Sequence, residues 1–145
     1  MKIVLQRVSS ASVRIGDEIV GKINYGYLVF VGFGINDEKA DVDRIIEKIK
    51  KLRLFSDENG KTNRSINEID GELLIVSQFT LYADCNQGNR PSFTDAATPS
   101  SAKDLYNYFV AASKPYFAKV ASGCFGASME VELINDGPFT VILEI

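Results

Sequence analysis

The sequence predicts an α+β fold: a mainly antiparallel, barrel-like β-sheet with two helices packed on it. Three observations predict it. Apolar segments bounded by turn residues occupy both ends of the chain, two segments between them carry apolar residues at helical spacing, and no repeat or linker divides the sequence. The 145 residues, of which 46% are hydrophobic and 24% charged, are typical of a single globular domain spanning residues 1–145.

Three strands are expected in quick succession at the start of the chain. Gly16-Asp17 is a two-residue turn of the Gly-first type that joins the first two strands into a hairpin, and an irregularity is expected near Ser9-Ser10. The third strand is almost wholly apolar, which is typical of a central strand. The three strands are expected at residues 2–15, 18–23 and 27–34.

Two helices are predicted from the spacing of apolar residues. The first is expected to begin at Asn36-Asp37, where acidic side chains suit the positive end of a helix. The second is expected to begin at Ser100-Ser101 and to end at Pro115. Their apolar faces are Val42, Ile45, Ile46, Ile49 and Leu52 in the first helix, and Leu105, Tyr108, Phe109 and Ala112 in the second.

The strand expected at residues 73–81 changes character along its length. Its first four residues are apolar, but Ser77, Gln78 and Thr80 then interrupt the run where the strand should still be inside. Burying such groups without hydrogen bonds costs about 2 kcal/mol or more each. They therefore form either an internal hydrogen-bond network or the wall of a site. A long loop expected at residues 83–99 favours a site nearby.

Composition excludes several kinds of chemistry. The sequence contains no histidine, which excludes Ser-His-Asp and Cys-His catalysis and histidine-based zinc sites. Cys85 and Cys124 lack the paired spacing of a metal site or disulfide framework, so neither a metal nor a cofactor is expected. The net charge of −3 argues against broad binding along a duplex, and no DNA partner is expected. Short apolar segments and a polar start predict a cytoplasmic protein without a membrane association.

Gly137-Pro138 lies between two strands expected at residues 127–135 and 139–145. An isolated Gly-Pro pair is usually a plain turn. A second interpretation is a binding feature, because glycine lets another group approach its Cα closely and the bond before proline can be cis at a modest cost. A cis Gly-Pro would hold successive carbonyl oxygens in a fixed arrangement, suited to gauging the shape of a ligand.

Two hydroxyl groups at the end of the polar strand are candidate nucleophiles. Ser77 and Thr80 have no histidine to activate them, so a covalent role is the weaker interpretation. The backbone N–H groups of Phe79 and Thr80 suit an oxyanion hole instead, and the Gln78 amide can orient a substrate. Met129 and Phe125 are expected to be core residues rather than parts of a ligand wall.

The combination of motifs resembles the D-aminoacyl-tRNA deacylases (the D-tyrosyl-tRNA deacylase family). The resemblance extends over essentially the whole chain in order and spacing. Its two signature motifs are Ser77-Gln78-Phe79-Thr80-Leu81 and Asn135-Asp136-Gly137-Pro138-Phe139-Thr140. Supporting stretches are Gln6-Arg7-Val8, Gly88-Asn89-Arg90-Pro91-Ser92-Phe93 and Asn107-Tyr108-Phe109-Val110. Two departures, Thr62 where relatives commonly carry Met and Ser128 where an acidic residue is common, bear on substrate preference.

The resemblance implies a homodimeric enzyme of translation quality control that hydrolyses the ester between a D-amino acid and the 3′-terminal adenosine of tRNA. Gly137 and Pro138 of one subunit would complete the site of the other and reject L-amino acids sterically, while glycyl-tRNA partly escapes. The substrate's own 2′-hydroxyl would assist the attack of water. Residues implied in catalysis are Ser77, Gln78, Phe79 and Thr80; those implied in substrate or tRNA contact are Arg7, Arg90, Met129, Asn135 and Thr140.

Two alternatives remain open at this point. One is a hydrolase that uses Thr80 as a covalent nucleophile. The other is a non-catalytic module of the same fold that binds an RNA end or a partner, against which the low net charge and the polar strand end both weigh.

Overall fold

The fold consists of eight strands and two helices, which the computed structural model describes for residues 1–86 and 88–145. In chain order they are β1 (Lys2–Ile15), β2 (Glu18–Ile23), β3 (Gly26–Gly32), α1 (Lys39–Lys51), β4 (Phe55–Ser56), β5 (Thr62–Arg64), β6 (Glu72–Ser77), α2 (Pro99–Ser113), β7 (Lys119–Ser122) and β8 (Glu130–Glu144). Short 3₁₀ turns lie at Asn67–Ile69 and Phe79–Tyr82. Within these described ranges, no helix has the length and apolar character of a membrane span.

The main sheet has the order β2-β1-β3-β6-β7, and β8 pairs with the other edge of β1. The pairs that β1 makes with β2, β3 and β8 are antiparallel, whereas β3–β6 and β6–β7 are parallel. A Cβ at Gly21 of β2 would lie 2.7 Å from the carbonyl oxygen of Ser122 in β7, so these two distant edges approach closely. The sheet is thus nearly closed, and the predicted α+β, mostly antiparallel, barrel-like fold is confirmed.

The two faces of the curved sheet are buried in two separate cores. The outer face packs against both helices through Ile3, Leu5, Val29, Leu73 and Ile75 of the sheet, Val42, Ile45, Ile46 and Ile49 of α1, and Leu105, Tyr106 and Phe109 of α2. The inner core consists of Val8, Ala11, Val13, Ile23, Leu28, Leu74 and Val76. Since successive residues of β6 enter opposite cores, both its faces are apolar, which explains its continuous apolar sequence.

Several predicted elements are confirmed with small differences. β1 and β2 have the predicted bounds, and the β1–β8 register shifts between Val8 and Ser10, next to the expected irregularity. β3 ends two residues earlier than predicted, at Gly32, and pairs on both sides, as a central strand does. The short hairpin β4–β5 lies where a loop was expected, and β7 was missed.

The predicted starts of both helices are wrong by two residues: α1 begins later than predicted and α2 begins earlier. α1 begins at Lys39, with Glu38 as its N-cap, because the Asp37 carboxylate is engaged elsewhere: it accepts from the Met1 amino group at 2.7 Å and the Gly34 N–H at 2.6 Å. α2 has Thr98 as its N-cap, and the Thr98 hydroxyl accepts from the Ser101 N–H. The expected cap Ser100-Ser101 therefore lies inside the first turn. α2 ends at Ser113, before Pro115, as predicted.

The polar strand is shorter than predicted. β6 ends at Ser77, the Gln78 N–H makes a last bond to the Val31 carbonyl at 2.7 Å, and the chain then turns. The turn packs against Gly32 of β3, where a Cβ would lie 2.9 Å from the Gln78 carbonyl oxygen. Phe79 is 58% exposed and Thr80 is exposed, so the polar end is not buried and needs no internal network.

The two last strands expected from sequence form one element, β8, interrupted by a projection. Asn135 pairs with Val8 and Thr140 with Gln6, so five steps along β8 match two steps along β1. Residues 136–139 therefore project from the sheet edge, and they are called the projection below. The chain keeps its direction on both sides of it, because both parts of β8 are antiparallel to β1.

The buried Tyr106 hydroxyl ties α2 to the sheet. Its single proton is shared between the carbonyl oxygens of Ile75, at 2.8 Å, and Gly123, at 3.0 Å. Tyr106→Phe should lower the free energy of unfolding near neutral pH by about 1–2 kcal/mol, because both acceptors lose a donor. Urea unfolding followed by circular dichroism measures this loss.

The same hydroxyl makes stability depend on alkaline pH. Burial raises the pKa of Tyr106 to about 12, while an unfolded tyrosine ionises near pH ~10. Its contribution is therefore complete below about pH 10 and is lost as the pH rises towards about 12. Tyr106→Phe should lose less stability than the unmodified chain between about pH 8 and about pH 11; equal losses would contradict this role.

Candidate active site

A cavity of about 480 Å³ opens beyond the end of β6. It lies between the last residues of β6, the first turn of α2 and the segment that leads into β8. The lining residues are Val76, Ser77, Gln78, Phe79, Ala97, Pro99, Ala102, Phe125, Gly126, Ala127, Met129 and Val131. Its inner wall is thus an extension of the inner core, and polar groups occur at one side only.

Small residues leave the space that forms the cavity. Ala97 and Ala102 come from the α2 side, and Gly126 and Ala127 from the segment before β8. Sequence analysis missed these four residues, since each is unremarkable alone and only the fold brings the two segments together. A run rich in glycine and alanine at residues 121–127, before the last strand, was the available signal.

Met129 and Phe125 have two roles in the structure. Both pack against the cores, Met129 on the inner one and Phe125 on the outer one, as sequence analysis expected. Both also line the cavity, a position that sequence analysis did not expect for core residues. A side chain at the open end of a core contacts the core on one side and the cavity on the other.

The polar side of the cavity is built from the turn after β6. Phe79 and Thr80 are the first residues of this 3₁₀ turn, whose internal hydrogen bonds begin with the Leu81 N–H and the Gln78 carbonyl. The N–H groups of Phe79 and Thr80 precede that bond and have no acceptor within the turn. Ser77, Gln78 and Phe79 line the cavity, and Thr80 lies next to them outside its lining.

The hydroxyl groups near the cavity lack an activating base in the part of the chain that the structure describes. The Gln78 side-chain amide donates to the Thr80 hydroxyl oxygen. Among the described residues, no lysine, tyrosine or carboxylate is hydrogen-bonded to the hydroxyl of Ser77 or Thr80. Tyr82, two residues beyond Thr80, is a poor base, because burial, and then the Asp37 carboxylate, raise its pKa to about 12 and so disfavour the phenolate. The turn is therefore suited to donate hydrogen bonds rather than to attack a substrate.

Two aromatic side chains form the rim. Phe79 and Phe93 meet edge to face, with ring centroids 5.0 Å apart. Phe93 belongs to the loop expected at residues 83–99, of which Gln87 lies outside the described residues. Phe79 is exposed and Phe93 is half-buried, and such an aromatic pair beside a cavity provides a surface on which a planar group can stack.

Arg7 holds the projection from inside the protein. Only 8% of this arginine is exposed, and its Nε donates to the Asp136 carbonyl at 2.9 Å and faces the Asp136 carboxylate at 3.2 Å. Its Nη1 donates to the Leu54 carbonyl at 2.5 Å, and the guanidinium lies 4.9 Å from the centre of the Phe139 ring. The guanidinium thus contacts both ends of the projection, and Arg7 is an internal support rather than an exposed phosphate contact.

Asn135 and Thr140 close the base of the projection. The Asn135 side chain accepts from the Phe139 N–H at 2.6 Å and donates to Gln6 and to the Thr140 hydroxyl at 2.8 and 3.2 Å. At the tip, the Gly137–Pro138 peptide bond is cis. Gly137 has a φ of +148°, and a Cβ there would lie 2.7 Å from the Phe139 nitrogen, so only glycine fits.

The structure places the predicted site residues in two groups. Ser77, Gln78, Phe79 and Met129 meet at the cavity, with Thr80 beside them. Arg7, Asn135, Gly137, Pro138 and Thr140 meet at the projection, and neither Gly137 nor Pro138 lines the cavity of its own chain. Arg90 is exposed in the loop and belongs to neither group, since it does not line the cavity and, in the described structure, does not contact the projection. Within residues 1–86 and 88–145, no cluster of three or more Cys, Asp or Glu residues could hold a metal ion.

Comparisons with known proteins identify related sequences and structures. The chain matches the model of the family described as D-Tyr-tRNA(Tyr) deacylase over residues 4–144. It is 54% identical over 144 residues to a protein of Thermosipho africanus (strain TCF52B) named D-aminoacyl-tRNA deacylase, and the match covers 99% of this chain and 97% of that protein.

Two solved structures share the fold. One is named c-Myc DNA Unwinding Element Binding Protein; it is similar with a TM-score of 0.94 at 38% identity, covering 100% of this chain and 99% of that chain. The other is that of a probable eukaryotic D-amino acid tRNA deacylase, with a TM-score of 0.88 at 16% identity and 99% and 98% of the two chains covered. At 16% identity, the similarity to this second structure shows only that the two chains share a fold.

Proposed function

The chain belongs to the D-Tyr-tRNA(Tyr) deacylase family and is a hydrolase of D-aminoacyl-tRNA, and we propose a mechanism in which it holds the ester while the substrate helps to break it. The 145 residues act as one cytoplasmic domain in translation quality control. The observation that carries the proposal is the pair of N–H groups at Phe79 and Thr80, which open a 3₁₀ turn beside an otherwise apolar cavity.

The cavity receives the aminoacylated end of the tRNA. The ester carbonyl oxygen accepts from the N–H groups of Phe79 and Thr80, which stabilise the negative charge that develops as water attacks. Apolar walls strengthen these bonds by excluding water. The Phe79–Phe93 rim gives the terminal adenine a surface for stacking.

The attacking water is assisted by the ribose rather than by a side chain. The 2′-hydroxyl lies next to the 3′ ester, so its position is set by the substrate itself. The absence of a base at Ser77 and Thr80 in the described contacts supports this route. The competing interpretation, a covalent intermediate on Thr80, requires an activated hydroxyl, whereas this hydroxyl accepts a bond from the Gln78 amide.

Rejection of L-amino acids needs the projection of a second subunit. The projection extends away from its own sheet and contributes nothing to its own cavity. Beside it, the outer edge of β8 has no partner strand among the described residues, and Ile134 and Ile142 are 62% and 69% exposed. A homodimer would cover this edge and insert Gly137 and Pro138 into the partner's cavity.

Selectivity then arises by exclusion. The carbonyl oxygens of Gly137 and Pro138 would occupy the space that an L side chain needs, while a D side chain points away from them. Glycine has no side chain to exclude, so glycyl-tRNA is also hydrolysed. This exclusion depends on the fixed position of the projection, which Arg7 and Asn135 support.

The proposal predicts which amino acids are released. D-tyrosine should leave D-tyrosyl-tRNA at least about 100-fold faster than L-tyrosine leaves L-tyrosyl-tRNA, after subtraction of uncatalysed hydrolysis. Ala127→Phe, which fills the cavity, should abolish release of D-tyrosine, whereas Ala118→Phe at an exposed position outside the cavity should not. No release from either substrate by the unmodified protein would refute the proposed function.

A disulfide test locates the projection. One chain carries Pro138→Cys, another carries Ala127→Cys, and both have Cys85 and Cys124, which are exposed, replaced by serine. If the projection enters the partner's cavity, mild oxidation of the mixture should give a covalent heterodimer on a non-reducing gel. Replacing the second variant by Ala118→Cys should remove that band. A monomer in gel filtration, with no covalent species, would contradict the shared site.

Thr80→Ala separates the two mechanisms. The variant keeps both N–H groups, so its rate on D-tyrosyl-tRNA should stay within about tenfold of the unmodified rate. A tRNA ending in 2′-deoxyadenosine should react at least about 100-fold more slowly with the unmodified protein, because it loses the assisting hydroxyl. Loss of activity in Thr80→Ala together with normal turnover of the deoxy substrate would instead support a threonine nucleophile.

A further inference from the structure

A second cavity, of about 520 Å³, lies along α2 and is called the α2 groove. It is open to solvent between one face of α2, the end of β7 and β2. The lining residues are Val20, Lys103, Tyr106, Asn107, Val110, Ala111, Lys114, Ser122, Gly123, Cys124 and Phe125. The proposed mechanism does not use this groove, although Asn107 and Val110 of one supporting motif line it.

The α2 groove adjoins the cavity of the candidate active site. Phe125 lines both, and α2 passes from one to the other: Pro99 and Ala102 face the cavity, while Lys103 and later residues face the groove. A polymer whose end occupies the cavity can therefore continue along α2 in the groove. Lys103 lies at the near end and Lys114, 11 residues later, at the far end, a separation of about 16 Å along the helix.

The groove is locally basic in an acidic protein. The chain has a net charge of −3, yet the two charged side chains that line the groove are both lysines. Lys103 and Lys114 are exposed, and neither has an ion-pair partner within 4.0 Å among the described residues. In α1, by contrast, Lys50 and Lys51 both pair with Glu47. The groove lysines are thus available to an external anion.

The floor between the lysines suits nucleobases. Phe125 is half-buried and presents its ring at the boundary with the cavity, and the exposed Asn107 amide can both donate and accept hydrogen bonds. Base stacking on an aromatic side chain, flanked by phosphates on cationic side chains, is the usual arrangement for a single strand. Asp104, next to Lys103 in sequence, does not line the groove.

We infer that the α2 groove binds the single-stranded RNA that precedes the aminoacylated nucleotide, with phosphates at Lys103 and Lys114 and a base at Phe125. The inference rests on the proposed function, since the terminal nucleotide must occupy the cavity for the strand to enter the groove. It assigns the groove to the nucleotides of the acceptor end, and it makes binding of the whole tRNA dependent on salt.

The test compares two substrates and two double variants. D-tyrosyl-tRNA has the strand that would fill the groove, and D-tyrosyl-adenosine has only the terminal nucleoside. Lys103→Ala/Lys114→Ala removes the two charges, and Lys48→Ala/Lys61→Ala removes two exposed charges elsewhere, without an ion-pair partner in the described structure. Because the charge change is the same, the second variant controls for general attraction of RNA.

The groove variant should lower kcat/KM on D-tyrosyl-tRNA about tenfold relative to D-tyrosyl-adenosine near physiological salt, and the control variant should not. The slope of log(kcat/KM) against log(salt) for the tRNA, which is negative, should become less steep by about 1.4, or ~0.7 for each lost phosphate contact. An unchanged rate on the tRNA, or equal losses on both substrates, would overturn the inference. If the unmodified protein hydrolyses neither substrate, it is the proposed function itself that fails.

Discussion

Burial of both faces of β6 is the constraint on which the rest of the molecule depends. Leu73 and Ile75 enter the outer core and Leu74 and Val76 the inner one, so this strand separates the helices from the barrel interior. Such burial ends where the sequence becomes polar, at Ser77. The chain turns there over Gly32 into a 3₁₀ turn whose first two N–H groups lie beside the space that the strand no longer fills. The cavity is thus a direct result of ending a doubly buried strand.

A second constraint is the burial of the Arg7 charge. A guanidinium removed from water is costly unless its donors are bonded and its charge is balanced. Here the Asp136 carboxylate balances it, and the carbonyl groups of Leu54 and Asp136 accept its hydrogen bonds. Because those partners come from β8 and from the segment before β4, the arginine also fixes one relative to the other. The contacts that neutralise the buried Arg7 charge are therefore the same contacts that hold the projection in place.

Local patterns predicted the parts of the fold that local interactions decide. Turn residues and alternation were enough for β1 and β2, and Pro115 was enough for the end of α2. The start of α1 was predicted wrongly because Asp37 bonds the chain's first amino group, a contact between residues 36 positions apart. Thr98 precedes Pro99 and caps α2 from a segment expected to be a loop, so the nearer serines were a misleading signal.

The candidate site was predicted only in part for the same reason. The motif around Gln78 and the Gly137-Pro138 pair were identifiable in sequence, but whether they meet in one chain depends on tertiary structure. Met129 shows the limit clearly: a side chain that packs on a core and lines a cavity has the sequence pattern of a core residue. Small residues such as Ala102 carry no chemical signal, since their contribution is the space they leave.

The projection also affects how readily the chain aggregates. Where no second subunit covers it, a fifteen-residue edge strand with outward isoleucines is the kind of surface that recruits foreign strands into growing sheets. Residues 136–139 interrupt that edge, leaving a run of six residues before them and five after them, Glu130 to Asn135 and Thr140 to Glu144. An incoming strand cannot pair continuously past the interruption. The same four residues thus protect the chain against uncontrolled addition of strands.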